Sequence, residues 1–232
     1  MMKFLLSLFI ITLSLFAAQS ALESFKSGDY KKAFKLYEID AKAGDTKAQN
    51  ALSYLYFNGL GIKSDSKKGL YWLEKAAALN DAVAQYDLGM MYLNGYNVEK
   101  NKKAAFNWLS SASDLNNTDA QYNLALMFYN GDGTDLNVTA SVNLLDKAAR
   151  KGHQKSSKNI GRIYMQLLEF ENATYWLERN AQTGDEEAYY LLAEVYCNLE
   201  KYSDAKKWAK KSIDSGNMEA SQLWEKYKLE KY

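Results

Sequence analysis

Apolar and small residues recur along the chain at steps far longer than a helical turn. Ala48, Ala84, Ala120 and Ser156 stand 36 residues apart, and Ala188 and Ala220 follow at steps of 32. Trp72, Trp108 and Leu144 keep the step of 36, then Trp176 and Trp208 the step of 32. Tyr56, Tyr92, Phe128, Tyr164 and Tyr196 form a third column with the same change. A change of step shared by three columns marks one structural repeat that shortens from the fourth unit onward. Within a unit, Ala48, Leu52 and Tyr56 lie at i, i+4 and i+8 and predict a first helix, helix A, over about 48–58. Trp72, Leu73, Ala76 and Ala77 predict a second, helix B, over about 66–79. Gly69, Ala105, Ser141, Ala173 and Ala205 lie three residues before each bulky Trp or Leu, where small residues let helix axes approach closely.

The polar positions mark the ends. Gly44, Asn80, Asn116, Gly152, Gly184 and Gly216 close each helix B, all residues that tolerate the left-handed backbone of a helix end. Asp45, Asp81, Asn117, His153, Asp185 and Asn217 follow them, in the turn to the next helix A. The first three units carry a Gly-containing insert between A and B, at Gly59-Leu60-Gly61, Gly95-Tyr96-Asn97 and Gly131-Asp132-Gly133. The last two turn tightly at Glu169-Phe170 and Lys201-Tyr202, and Gly28-Asp29-Tyr30 is the same tight turn in a partial first unit. The resulting division is a partial unit over 21–47, long units over 48–83, 84–119 and 120–155, short units over 156–187 and 188–219, and a closing helix over 220–232. Atypical terminal units are what a repeat array needs to end its core.

Residues 1–20 stand apart. Met1, Met2 and Lys3 form a short basic start, Phe4 to Phe16 is a run of 13 dominated by apolar residues, and Ala17-Ala18-Gln19-Ser20 supplies small residues. That is the pattern of a signal peptide cleaved near Ser20/Ala21, and the apolar run falls short of the roughly 20 residues a spanning helix needs. It predicts a periplasmic or secreted protein with no membrane insertion after cleavage.

Composition narrows the chemistry. The chain is 47% hydrophobic and 25% charged, a globular balance, and its net charge of +1 gives no reason to expect nucleic acid or an anionic membrane as partner. One His and one Cys, His153 and Cys197, exclude a zinc site, and no cofactor motif is present. His153 falls in a turn column and reads as a solvated turn residue. Cys197 falls in the column of Phe57, Leu93, Tyr129 and Met165 and reads as a packed thiol, with pairing between molecules as the alternative.

The string Ala84-Gln85-Tyr86-Asp87-Leu88-Gly89-Met90-Met91-Tyr92-Leu93-Asn94-Gly95, followed by Lys103-Ala104 and Trp108, resembles the Sel-1-like repeat. The shorter units, such as Tyr202-Ser203-Asp204-Ala205, look like its parent, the tetratricopeptide repeat. The resemblance covers about residues 25–230 and implies an all-α fold, a right-handed α-solenoid of antiparallel helix pairs that acts as an adaptor or scaffold. A cysteine-rich exported branch carries a disulfide in each repeat; here Ala77 and Gln85 stand where its cysteines would be. That branch is sometimes labelled β-lactamase or penicillin-binding, which makes a cell-wall or β-lactam hydrolase the alternative function. Ser64-Asp65-Ser66-Lys67 and Ser203-Asp204-Ala205-Lys206 both match S-x-x-K, but Lys26-Ser27-Gly28, the K-T-G-like triplet, precedes both. Both serines fall at or just before the start of a helix B, where capping explains them, so no enzyme is expected.

In solenoids of this kind helix A lines the concave face. The column two after each Ala reads Asn50, Tyr86, Tyr122, Lys158; six after reads Tyr54, Met90, Leu126, Arg162; ten after includes Asn94 and Asn130. Aromatic rings beside amides suit an extended peptide or protein segment bound by a monomer, rings taking side chains and amides pairing with backbone. The competing reading is that the Asn column only ends helix A and the Tyr column packs between units. Asn116 and Asn137 lie in extended glycan-acceptor patterns, and both also fit helix-end positions, Asn137 as a cap aligned with Asp65 and Asn101.

Overall fold

The computed structural model describes residues 20–232, so the leader read over 1–20 lies outside the described residues apart from Ser20. Helix follows helix: α1 (20–26), α2 (Tyr30–Lys42), α3 (Thr46–Asn58), α4 (Ser66–Ala78), α5 (Ala82–Asn94) and α6 (Lys102–Asp114). Then come α7 (Thr118–Asn130), α8 (Val138–Arg150), α9 (Gln154–Gln166), α10 (Phe170–Gln182), α11 (Glu186–Asn198), α12 (Tyr202–Asp214) and α13 (Met218–Tyr227), with a 3-10 turn at Leu229–Lys231. No strand occurs among the described residues. The chain is all-α, and from α3 onward helices A and B alternate as the column spacing requires.

Side chains start these helices. Asp45 accepts from the Ala48 N–H at 2.7 Å, Asp81 from Ala84 at 2.9 Å and Asn117 from Ala120 at 2.9 Å, each occupying a donor the first helical turn leaves open. His153 belongs with them and is more than a solvated turn residue. Its Nδ1 faces the Ser156 N–H at 3.2 Å and Ser156 Oγ at 2.8 Å, capping α9. Asp65, Asn101 and Asn137 cap α4, α6 and α8 at 2.9–3.0 Å from a nearly identical extended backbone. The S-x-x-K serines are not the caps: Asp65 caps α4, and Lys201 precedes α12 with no side-chain cap, which puts Ser203 in the first turn.

Each residue of the Gly/Asn stop column has a left-handed φ, from 62° at Asn80 to 99° at Gly44. Three further stops are built without glycine, by Leu168 and Glu200, each at φ 59°, and by Lys228 at φ 52°. The glycines of the long inserts have a packing reason as well. A Cβ on Gly61 would lie 2.2 Å from the Tyr30 carbonyl oxygen, and one on Gly133 2.4 Å from that of Lys102. The insert therefore rests directly on the first turn of an earlier helix B, and backbone meets backbone.

The chain forms two compact units, one of residues up to Ala120 with Gly131–Asp135, the other of Gln121–Asn130 and Leu136–Tyr232. In the first, Leu52, Leu55 and Phe34 join Tyr56, and Leu73, Leu88 and Met91 form a second cluster against Trp108. In the second, Trp176 packs with Leu145 and Ile160, while Leu177, Leu192 and Trp208 carry the core on to Leu229. The Ala column and the small column are buried throughout.

Buried glutamines tie the start of a helix A to the preceding helix B. Gln85 Nε2 donates to the Ala77 carbonyl at 3.0 Å, and Gln49 Nε2 makes the same bond to Ala41 at 3.2 Å. The resemblance to the cysteine-rich branch implies a disulfide where Ala77 and Gln85 stand; here a buried hydrogen bond joins them. Such a bond contributes about 1 kcal/mol net, less than the typical 2–4 of a disulfide.

Candidate functional site

Within the first unit, helices α1 to α5 leave a groove of about 780 Å³. Helix α3 contributes Lys47, Asn50, Ala51, Tyr54 and Asn58, one stripe at helical spacing. Helix α5 contributes Val83, Asp87, Met90, Met91 and Asn94, and α1 and α2 close one end with Leu22, Phe25 and Tyr37. Tyr54 is 51% exposed, with its ring edge-on to Phe25 at 6.1 Å. Tyr96, in the insert after α5, is 64% exposed at the rim. Large exposed rings beside open apolar surface are what a binding groove needs.

Four of the expected residues, Asn50, Tyr54, Met90 and Asn94, meet in this groove. Tyr86, half-buried on α5, is not among its lining residues. The amides are partly committed to their own helices. Asn58 Nδ2 donates to the Tyr54 carbonyl at 2.9 Å, Asn94 to Met90 at 2.9 Å and Asn198 to Glu194 at 2.9 Å. Each adds a side-chain bond to the carbonyl four residues back in the last turn of its helix, keeping its second N–H and its oxygen for other partners.

The other expected residues lie in the second unit and are engaged there. The Tyr122 phenol accepts from Asn159 Nδ2 at 3.2 Å, and its ring packs on His153 with centroids 5.0 Å apart. Leu126 is half-buried and Asn130 exposed. Lys158 pairs with Asp185 at 3.0 Å and Arg162 with Glu187, so both cations are neutralised by α11 and its cap. A smaller cleft of about 400 Å³ includes Lys158, Arg179 and Asn180. Buried Asn180 exchanges two hydrogen bonds with Ser157, at 2.7 and 3.0 Å, and ties α10 to α9. Asn116 is a left-handed helix-end residue and Asn137 a cap.

Asp87 is the groove residue that repeat reasoning passed over. Its column reads Ala51, Asp87, Asn123, Asn159 and Leu191, and the charge occurs once. Burial, and then the nearby Asp81 carboxylate, push its carboxyl up to about 6. Cys197 is buried in the second unit's core, and burial followed by Glu194 pushes its thiol up to about 11, which keeps it protonated and unreactive. Among the described residues no His, Cys, Asp and Glu cluster forms a metal site, and no helix is long and apolar enough to cross a membrane.

Helix pairs repeated in tandem, with a side-chain-lined groove in the first unit, describe a helical repeat protein. The Sel1 repeat model matches residues 24–45, 46–81, 82–117, 118–153 and 186–217, and the chain belongs to the Sel1 repeat family. The chain is similar to a Sel1 repeat protein from Oxalobacter formigenes, with 28% identity over 88% of this chain and 84% of that one, at a TM-score of 0.70. It is also similar to c5321, a protective antigen present in uropathogenic Escherichia coli strains and displaying an SLR fold. That likeness has 26% identity and a TM-score of 0.72, covering 85% of this chain but 44% of the antigen. Comparison with curated proteins gives no significant match.

Proposed function

We propose that this protein is an exported scaffold that holds a peptide or protein segment against the helix-A face of its repeats, without catalysis of its own. The observation that carries the reading is the groove between α3 and α5, where Tyr54, Met90, Asn50 and Asn94 converge beside exposed apolar surface. Interaction is also the general role of Sel1 repeat solenoids. The division into units at 48, 84, 120, 156, 188 and 220 is kept, supported by helix bounds that recur with the same steps. Export rests on the basic start, the apolar run from Phe4 to Phe16 and the small residues before Ala21. N-terminal sequencing of the mature protein should begin at or next to Ala21.

The test of binding uses a partner cross-linked in the native cell envelope. Tyr54→Ala combined with Met90→Ala should weaken its affinity by about 2–4 kcal/mol, as loss of central anchors does, with the helical signal intact. Full affinity in that variant sinks the reading. No observation favours the hydrolase alternative, and turnover of nitrocefin by the pure protein would revive it.

A further inference from the structure

The groove's chemistry is lopsided in a way that specifies its occupant. Asp87 sits mid-way along the α5 wall, with Val83 one turn before it and Met90 and Met91 one turn after. It makes no hydrogen bond or ion pair with any described residue. The influences on it are desolvation and Asp81, and both disfavour its charge; Lys47, the cation among the lining residues, does not offset them. A half-buried carboxylate without a partner destabilises a fold, and a ligand cation removes that penalty on binding.

The rings supply the rest. Tyr54 and Phe57 of α3 present aromatic surface to the same groove, and aromatic faces attract cations while covering the methylene stem that carries them. We propose that this groove selects a segment carrying a lysine or arginine side chain between apolar neighbours, its cation set on Asp87 and its stem along Met90 and Tyr54. The inference rests on the peptide-holding reading above and adds the chemistry of what is held. An acidic segment meets two carboxylates, Asp81 and Asp87, and is repelled.

The test uses the full chain and four short fluorescent peptides, identical except for a central lysine, arginine, norleucine or glutamate flanked by leucine and phenylalanine. The lysine and arginine peptides should bind roughly tenfold or more tighter than the norleucine peptide, the scale of a charge-assisted contact, and the glutamate peptide weakest. Asp87→Asn, isosteric and uncharged, should bring the lysine peptide down to the norleucine level. Tyr54→Ala should weaken all four, with an unchanged thermal transition showing that the variant is folded. If all four bind alike and respond only to Tyr54→Ala, the groove reading stands and the cation inference is overturned. A lysine preference that survives Asp87→Asn places the cation elsewhere and also overturns it. Binding indifferent to Tyr54→Ala, or no binding by any peptide, overturns both.

Discussion

At the scale of the residue, Asp87 shows what one unpartnered group does to a fold. Its carboxyl is raised to about 6 in the folded protein, against about 3.9 in an unfolded chain. Below about pH 4 both states hold the proton and nothing differs. As pH climbs from about 4 to 6 the unfolded chain ionises freely, while the folded chain does so against burial and Asp81, so stability is lost across that window. Asp87→Asn should therefore raise stability by about 1–3 kcal/mol near pH 8 and change it little near pH 4, read by thermal denaturation at both. The other titratable groups lining the groove are Tyr37, Lys47, Tyr54, Asp81 and Tyr96, and of these only Asp81 acts on Asp87. Asp81→Asn keeps a capping side chain, removes that charge, and should shrink the effect. A single-sequence reading built on columns passes over such a residue because it averages across units, and Asp87 occurs in one. Leu22 and Phe25 were passed over for another reason, since they follow the leader directly and belong to no column.

At the scale of the element, what was legible is what repeats. Helix A and helix B, their stops at Gly44 through Gly216 and the caps of the helix-B series follow from periodicity and left-handed tolerance alone. Less legible were the stops at Leu168 and Glu200, where an exposed non-glycine residue takes a positive φ against local preference and the next N–H, of Glu169 or Lys201, bonds back to the Tyr164 or Tyr196 carbonyl. The role of the insert glycines is testable. Gly28 has a positive φ and open space around its missing Cβ, whereas Gly61 has a positive φ and a backbone carbonyl 2.2 Å away. Gly28→Ala should cost about 1–2 kcal/mol, the left-handed penalty alone, and Gly61→Ala distinctly more, because backbone must move. Equal costs in urea titrations would deny that the insert rests on α2. Trp176, only 2% exposed against Leu145 and Ile160, sets the scale of the core, and Trp176→Ala should cost about 3–5 kcal/mol.

At the scale of the whole molecule, hydrogen bonds and packing replace covalent staples. One cysteine, buried at Cys197, leaves no intrachain disulfide, and Gln49 and Gln85 bridge the junctions instead. Unfolding curves should be identical with and without reductant, and a shift would reveal a dimer bridged through Cys197. The candidate site was legible as a face and only partly as a place. The columns named Tyr54 and Met90, yet they also named Tyr122, Lys158 and Arg162, whose partners Asn159, Asp185 and Glu187 lie on later units and could not be paired from spacing. The central claim, that a partner is held in the groove of the first unit, is tested most directly by photo-cross-linking in living cells. A photoreactive phenylalanine analogue replaces Tyr54 or Met90 in the groove, or Tyr71, 49% exposed on helix α4 and outside it. The account predicts a discrete protein adduct from Tyr54 and Met90 and none from Tyr71; adducts from Tyr71 with none from the groove would contradict it.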